Sequence, residues 1–563
     1  MSAQTQEFDY IIVGGGTAGV PIASRLSSYL PDKSVLLLEA GPSAITHPKV
    51  MDPSKIFDLI GEGLLVDYST TPQKHCNDRQ ILNLAGRMLS GSSGGNVGVW
   101  MRASSADHDL IAERAGHDRF RFKNMVKYFK KAERWYDEDA DVDFHGFDGP
   151  LHTVGGRKYP LRPYIRKAAE NIGFKYNPNA AAKGDPTGLV DLVQCFRKTS
   201  ESSSERQHSA RVYDLSNVDV RCESPVAKIL IDDEEKRAIG VELFSGERLF
   251  AHKEIIVACG AQRTPQLLML SGIGPQDELE KHDIKVQIDA PLVGKNLFDH
   301  ACVTQYYKLK DPSKGFALPF EGTMRPEYGQ GFPWEFNLFS HISPSALAPV
   351  LAADKERVTS SGDEGQHPHL RDKRCHFMLL PFYFPILADL NGYNSEIVVG
   401  DGKHIAVTAL NLLPLSRGTV TLRSSNPADK PVCDPEFMST ESDRFIIRTA
   451  IRMTLTLVST PPFADVLDGE TPPADSRYPV LTTESSDQEI DERVKGHMQT
   501  IAHPMGTCAL GDVLDSEFRV QGVKGGNLRV CDASVFPEPL AGMPSCTIYA
   551  LAEMCADLIA GRS

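Results

Sequence analysis

The chain has 563 residues, is 41% hydrophobic and 24% charged, and carries a formal net charge of −14. That length exceeds one ordinary hydrophobic core, so two or more domains are expected. The acidic balance speaks against nucleic acid and anionic membrane as partners, because both need a basic face.

In chain order, the first ordered stretch is Asp9-Tyr-Ile-Ile-Val-Gly-Gly-Gly-Thr-Ala-Gly19. Tyr10 to Val13 reads as a buried parallel strand. Gly14, Gly16 and Gly19 form G-x-G-x-x-G, with Thr17 and Ala18 completing the turn, and Val20 to Leu26 reads as a helix. Gly14 makes the tight turn, Gly16 lets the backbone approach a pyrophosphate, and Gly19 lets the helix pack on the strand. The helix N-terminus offers free N–H groups to phosphates. A second strand, Val35 to Leu38, ends in Glu39, placed to bind ribose hydroxyls. An acid there argues against a 2′-phosphate, hence against NADP. The eight residues before Asp9 contain neither a basic n-region nor an apolar h-region, so a cytoplasmic location is expected.

Residues 46–79 mix Pro, Gly and Asp with short apolar pieces, and are read as a lid or dimer-contact segment. The Gly- and Ser-rich stretch Ala85 to Arg102 permits close approach of backbone to a flat ligand, and is read as a loop opening a helix. Asp232 to Arg237 is read as a hairpin turn. The strand Glu254 to Ala258 leads to a helix with Thr264 as N-cap and Pro265 in first position, stopping at Ser-Gly-Ile-Gly-Pro275. Asp354 to His367 is polar and read as a surface loop. Cys375 to Pro385, His404 to Asn411 and Thr419 to Arg423 read as strands. The 11 cysteines show no paired spacing, as expected for reduced thiols. His75, Cys76, His367 and His369 form no metal set, and no metal is expected.

With these motifs in place the chain resembles the glucose-methanol-choline (GMC) oxidoreductases. Ala85 to Asn96 is similar to their first signature, and Gly260 to Gly274 matches the second at every fixed position. Val293-Gly-Lys-Asn-Leu-Phe-Asp-His300, His503-Pro-Met-Gly506 and Asp532-Ala-Ser-Val-Phe-Pro537 resemble three further family motifs, in the right order. The resemblance implies an α/β fold: a Rossmann-like FAD-binding domain plus a substrate domain with a mainly antiparallel sheet covered by helices. Residues 1–45, 80–160, 215–310 and 500–563 would form the first domain, and 160–215 and 310–500 the second. Arg87, Ser92, Asn96, Val226, Asp532 and Ala533 would join Gly14, Gly16, Thr17, Ala18, Gly19 and Glu39 around FAD. Some members attach the flavin through a His just before the signature Asn. Here that position is Gly95, so a non-covalent FAD is expected.

Oxidising an alcohol removes a hydroxyl proton and a hydride, and His is suited to the first task. His503 matches the family's catalytic histidine. The second catalytic position, His or Asn in the family, falls on Met543, counting back from the final helix at Thr547. Methionine moves no proton and only shapes a pocket. Ser545 or Cys546 could replace that function. His300 follows Asp299 in a family motif and reads as structural. The leading expectation is FAD-dependent oxidation of an apolar or aromatic alcohol, a small-molecule substrate, by a monomer or homodimer. The alternative is a non-redox lyase or cyclase with structural FAD, and a flavin-binding protein without catalysis is a third class.

Overall fold

The computed structural model describes residues 6–179, 181–318, 326–354, 367–393 and 401–562. Of the expected loop between Asp354 and His367, residues 355–366 lie outside them.

Two seven-stranded sheets organise the α/β fold. The first is ordered Asp219–Arg221, Val35–Leu38, Gln6–Val13, Arg248–Val257, Ala238–Leu243, Val226–Ile231, with Leu528–Val530 added beside Arg248–Val257. Gln6–Val13 is flanked in parallel by Val35–Leu38 and Arg248–Val257. Ile11, Ile12 and Leu36 to Leu38 are buried, as parallel strands covered on both faces must be. The helices Gly19–Tyr29 and Ser545–Ile559 pack together beside it. Val226–Ile231 and Ala238–Leu243 are antiparallel, and residues 232–237 turn between them as expected.

The helix after Val257 begins at Gly260, not at Thr264, and its N-cap is Cys259. Thr264 lies inside it, and its hydroxyl donates to Asp532 Oδ2 at 2.6 Å. Pro265 is tolerated because Ala261 O, which a normal residue 265 would engage, accepts Thr507 Oγ1 at 2.7 Å instead. The glycine-rich stretch after Ala85 forms one 3₁₀ turn, Gly91–Gly94, rather than opening an α-helix. Gly95 ends the turn, and Asn96 just after it accepts from Gly98 N at Oδ1, at 2.9 Å. The next helix starts at Ser105, capped by Ser104.

The second sheet is antiparallel, ordered Leu467–Glu470, Ala301–Leu309, His404–Asn411, Phe377–Phe382, Phe336–Ser340, Gly188–Asp191. Gln499–Thr500 pairs with the start of Ala301–Leu309. The 18-residue helix Glu441–Val458 lies across the sheet, its N-terminus capped by Thr440 Oγ1. Register puts Thr304 opposite Thr408 and Thr408 opposite Leu380. Side chains alternate along a strand, so these three share one face. Residues 46–79 are mostly irregular, with a short helix at Pro48–Met51 and a 3₁₀ turn at Pro53–Leu59. No helix among the described residues is long and apolar enough to cross a membrane.

Candidate active site

One cavity of about 1000 Å³ runs between the two sheets, from the Gly14 turn to Met543. That is the upper end of the roughly 300–1,000 Å³ usual for ligand pockets. At its first end the glycines differ in role. Gly14 has φ +104°, and a Cβ there would sit 2.4 Å from Ala258 O. A Cβ on Gly19 would sit 1.9 Å from Gly14 O, so this residue closes the helix onto the turn and does not line the cavity. Gly16 faces the cavity, and a Cβ there would meet no protein atom closer than 3.8 Å. Thr17 and Ala18 also line it.

Glu39 is buried at the end of the second strand. Its carboxylate accepts from Gly15 N at 2.9 Å and Gly41 N at 2.7 Å, while burial pushes its pKa up to about 7. Each oxygen has a second lone pair, so acceptor capacity remains toward the cavity. Asp532 accepts from Gly260 N at 2.9 Å and Ser534 N at 2.7 Å, pinning the second glycine turn beside the first. Ala533, Val226, Arg87, Ser92 and Asn96 line the same space, and Ser92 Oγ accepts from Gly86 N at 3.0 Å. Arg206, buried, donates to Val50 O and Asn96 O, tying the signature loop to the segment before it.

His503, Met543 and Ser545 line the other end. His503 and Met543 come from two separate loops, and Ser545 opens the final helix. Ala502 takes φ +57°, a left-handed conformation that costs a non-glycine residue about 1–3 kcal/mol. It turns the His503 N–H onto Asp299 Oδ1 at 2.9 Å. Asp299 also accepts from His300 N at 2.7 Å, Thr500 Oγ1 at 2.6 Å and Asn83 Nδ2 at 2.8 Å. Burial raises its pKa to about 6 against the pull of these donors. The Met543 loop is held by a buried pair: Arg374 Nε donates to Asp107 Oδ1 at 2.7 Å, and Asp107 Oδ2 accepts from Ala541 N at 2.8 Å. Arg374 also donates to Pro539 O at 2.8 Å.

His503 is the one histidine lining the cavity among the described residues. Its Nδ1 lies 3.1 Å from Nδ1 of His300. His300, read from sequence as structural, thus touches the candidate base directly. The only sequence signal was its place after Asp299. Burial, with His300 adding to it, holds the His503 pKa well below that of free histidine. The walls here are Trp334, Leu380, Phe382, Ile386 and Leu387, with Thr304, Thr408 and Asn391 as polar points. Thr304 and Thr408 bond to each other at 2.9 Å, and Asn391 donates to Tyr306 Oη and Leu387 O, both at 2.8 Å. Leu380 and Phe382 face the cavity, while the rest of that aromatic strand is core. Ile60 and Leu390, at the cavity's edge, are large apolar side chains left 45% and 48% exposed.

The chain matches the GMC oxidoreductase family over residues 8–302 and again over 414–552. It is 38% identical to the GMC-type oxidoreductase acuG of Aspergillus aculeatus, over 99% of both chains. It is 32% identical to an alcohol dehydrogenase [acceptor] of Pseudomonas putida, over 98% of this chain and 95% of that one. A solved formate oxidase of Aspergillus oryzae superposes with a TM-score of 0.85 at 27% identity, over 99% of both chains. Two family matches that together span most of the chain, relatives matched over nearly their whole length and a shared fold make this chain a GMC oxidoreductase, an enzyme that uses FAD.

Proposed function

We propose that the enzyme oxidises the hydroxyl of a largely apolar alcohol, with His503 as the general base. The observation that carries this reading is the position of His503: among the described residues, the single imidazole in the wall of a largely apolar chamber that is continuous with the glycine cradle. The cradle suits FAD, since Gly16 leaves open the space that a pyrophosphate needs and Glu39 keeps acceptor capacity for ribose. Bound there, FAD supplies the hydride acceptor. Gly95 lines the cavity without a side chain to attach, which supports a non-covalent flavin.

The chain's own residues bind, orient and deprotonate. Trp334, Phe382, Leu380 and Leu387 exclude water and reward an apolar or aromatic body. Met543 adds a thioether contact where a hydrogen-bonding side chain would otherwise meet the hydroxyl. His503 therefore stands as the group that orients the hydroxyl as well as taking its proton. The cover formed by Ile56 and Ile60 supports the lid reading of residues 46–79. Among the described residues, apolar side chains outnumber the polar points Thr304, Thr408 and Asn391 in these walls, which favours an apolar body over a sugar.

The test is the anaerobic visible spectrum of the holoenzyme with a panel of benzylic, long-chain and polyol alcohols. Benzylic or long-chain alcohols are expected to bleach the flavin band, and polyols to leave it. A bound flavin that stays oxidised with every alcohol would move the lyase or cyclase reading ahead.

The pH dependence follows from the depressed His503 pKa. The base works in its neutral form, and a lowered pKa keeps it neutral to lower pH. The group bonded to its ring is His300, itself held neutral with a pKa lowered to about 4, and among the described residues no carboxylate hydrogen-bonds either ring. The acid limb of kcat/KM, which reports the free enzyme, is therefore expected well below pH 6.5. A limb at or above that value would contradict the site's geometry.

A further inference from the structure

His503 and His300 meet through like nitrogens, Nδ1 to Nδ1 at 3.1 Å, with the rings at 76°. Such a bond contains one proton, carried by one ring and accepted by the other. A neutral imidazole has one N–H, so the direction of this bond decides both tautomers. If His503 accepts, its Nε2 carries a proton into the cavity and cannot serve as a base. If His503 donates, its Nε2 presents a lone pair.

The surroundings of His300 decide the direction. The ring is fully buried, and no solvent reaches it. Its Nε2 makes no hydrogen bond at ordinary distance among the described residues, but the backbone carbonyls of Leu412 and Leu540 lie toward the ring, and its other nitrogen, Nδ1, is already turned to His503. Carbonyl oxygens attract an N–H and repel a lone pair. The proton of His300 thus belongs on Nε2, which leaves its Nδ1 as an acceptor. His503 must then hold its own proton on Nδ1 and donate it.

We propose that His300 is a positioning residue that locks His503 in the Nδ1-protonated tautomer and so makes Nε2 the base. This rests on the reading of His503 as the base. When the alcohol proton moves to Nε2, His503 carries two N–H groups, and its Nδ1–H still donates to the neutral His300. The charge stays on His503. Asp299 orients both residues only through their backbone N–H groups, since its oxygens are occupied by four donors. The orienting partner of this base is an imidazole where a carboxylate would commonly serve. A neutral partner fixes direction without raising the basicity of His503, in keeping with a base that remains deprotonated in acid.

The direct test is long-range ¹H–¹⁵N NMR on holoenzyme labelled with ¹⁵N-histidine, with His503 assigned by its loss in His503→Ala. The expected result is a proton on Nδ1 of His503 and none on Nε2, and the reverse overturns the inference. The kinetic test is His300→Phe, which keeps the ring's bulk and removes the acceptor. Flavin reduction is expected to slow by on the order of 10²-fold or more, with KM changed by less than about threefold and the flavin spectrum kept. His300→Asn places an amide oxygen near the Nδ1 position and is expected to recover most of that loss, which a merely structural role would not predict. Wild-type rates in a folded His300→Phe overturn the proposal. If that variant does not fold, the wild-type tautomer still decides. Unchanged flavin reduction in His503→Ala would instead overturn the base reading itself, whatever the tautomer.

Discussion

His503→Ala is expected to remain folded and yellow while losing alcohol-driven flavin reduction by roughly 10²–10⁴-fold, the usual contribution of a general base. That loss corresponds to about 3–5 kcal/mol of transition-state stabilisation. Folding should survive because the imidazole bonds only to His300 among the described residues, and the loop is held by its backbone N–H on Asp299. Flavin binding should survive because no side chain or backbone group of the glycine cradle hydrogen-bonds the His503 ring among the described residues. The measurement is anaerobic stopped-flow reduction with the best alcohol of the panel. A rate within a few-fold of wild type would remove His503 from the chemistry. A colourless product would mean that the ring supports the cofactor instead.

Gly16→Ala is expected to give a folded protein that takes up no FAD. The fold has room for the methyl, since Ala258 O at 3.8 Å and Gly91 Cα at 3.9 Å are ordinary contacts. The added carbon enters the cavity, where the backbone has to approach the pyrophosphate. Thermal stability of the apoprotein should match wild type within about 0.5 kcal/mol. The stabilisation that wild type gains from FAD, about 3–4 kcal/mol at 100–1,000 times Kd, should vanish. Gly19→Ala is the contrasting case. Its methyl would lie 1.9 Å from Gly14 O, so the turn cannot form and insoluble protein is expected. If Gly16→Ala binds FAD as wild type does, the phosphate site is elsewhere.

Much of the first sheet and its turn was legible because the determinants are local. Tyr10 to Val13, Gly14 and Glu39 lie within one strand–turn–helix–strand unit, where apolar runs and missing Cβ atoms carry the meaning. The hairpin around Asp232 to Arg237 was legible for the same reason. Met543 was reached by counting back from a helix, and the loop carrying it shares the cavity with His503. The start of the helix at Gly260 was misread because Thr264 looked like a cap. Its hydroxyl is instead claimed by Asp532, a residue 268 positions away. The role of His300 was missed on the same ground: its partner is 203 positions away.

The sequence by itself determined the phosphate-binding turn, the two strands around it, the cofactor class and the identity of the candidate base. Each follows from steric and chemical properties that a residue carries with it or from a motif with fixed spacing. Only the tertiary structure decided which walls surround that base and which nitrogen of it faces them. Trp334, Leu387 and Asn391 belong to no motif and reach the cavity from the segments just outside the antiparallel strands Phe336–Ser340 and Phe377–Phe382, Asn391 from the 3₁₀ turn Asp389–Asn391. The His300–His503 contact depends on strand Ala301–Leu309 beginning where the Asp299 carboxylate gathers both backbones. Hydrogen-bond direction in a buried pair is set by what surrounds both rings, and that is a property of packing that no local stretch of the chain contains.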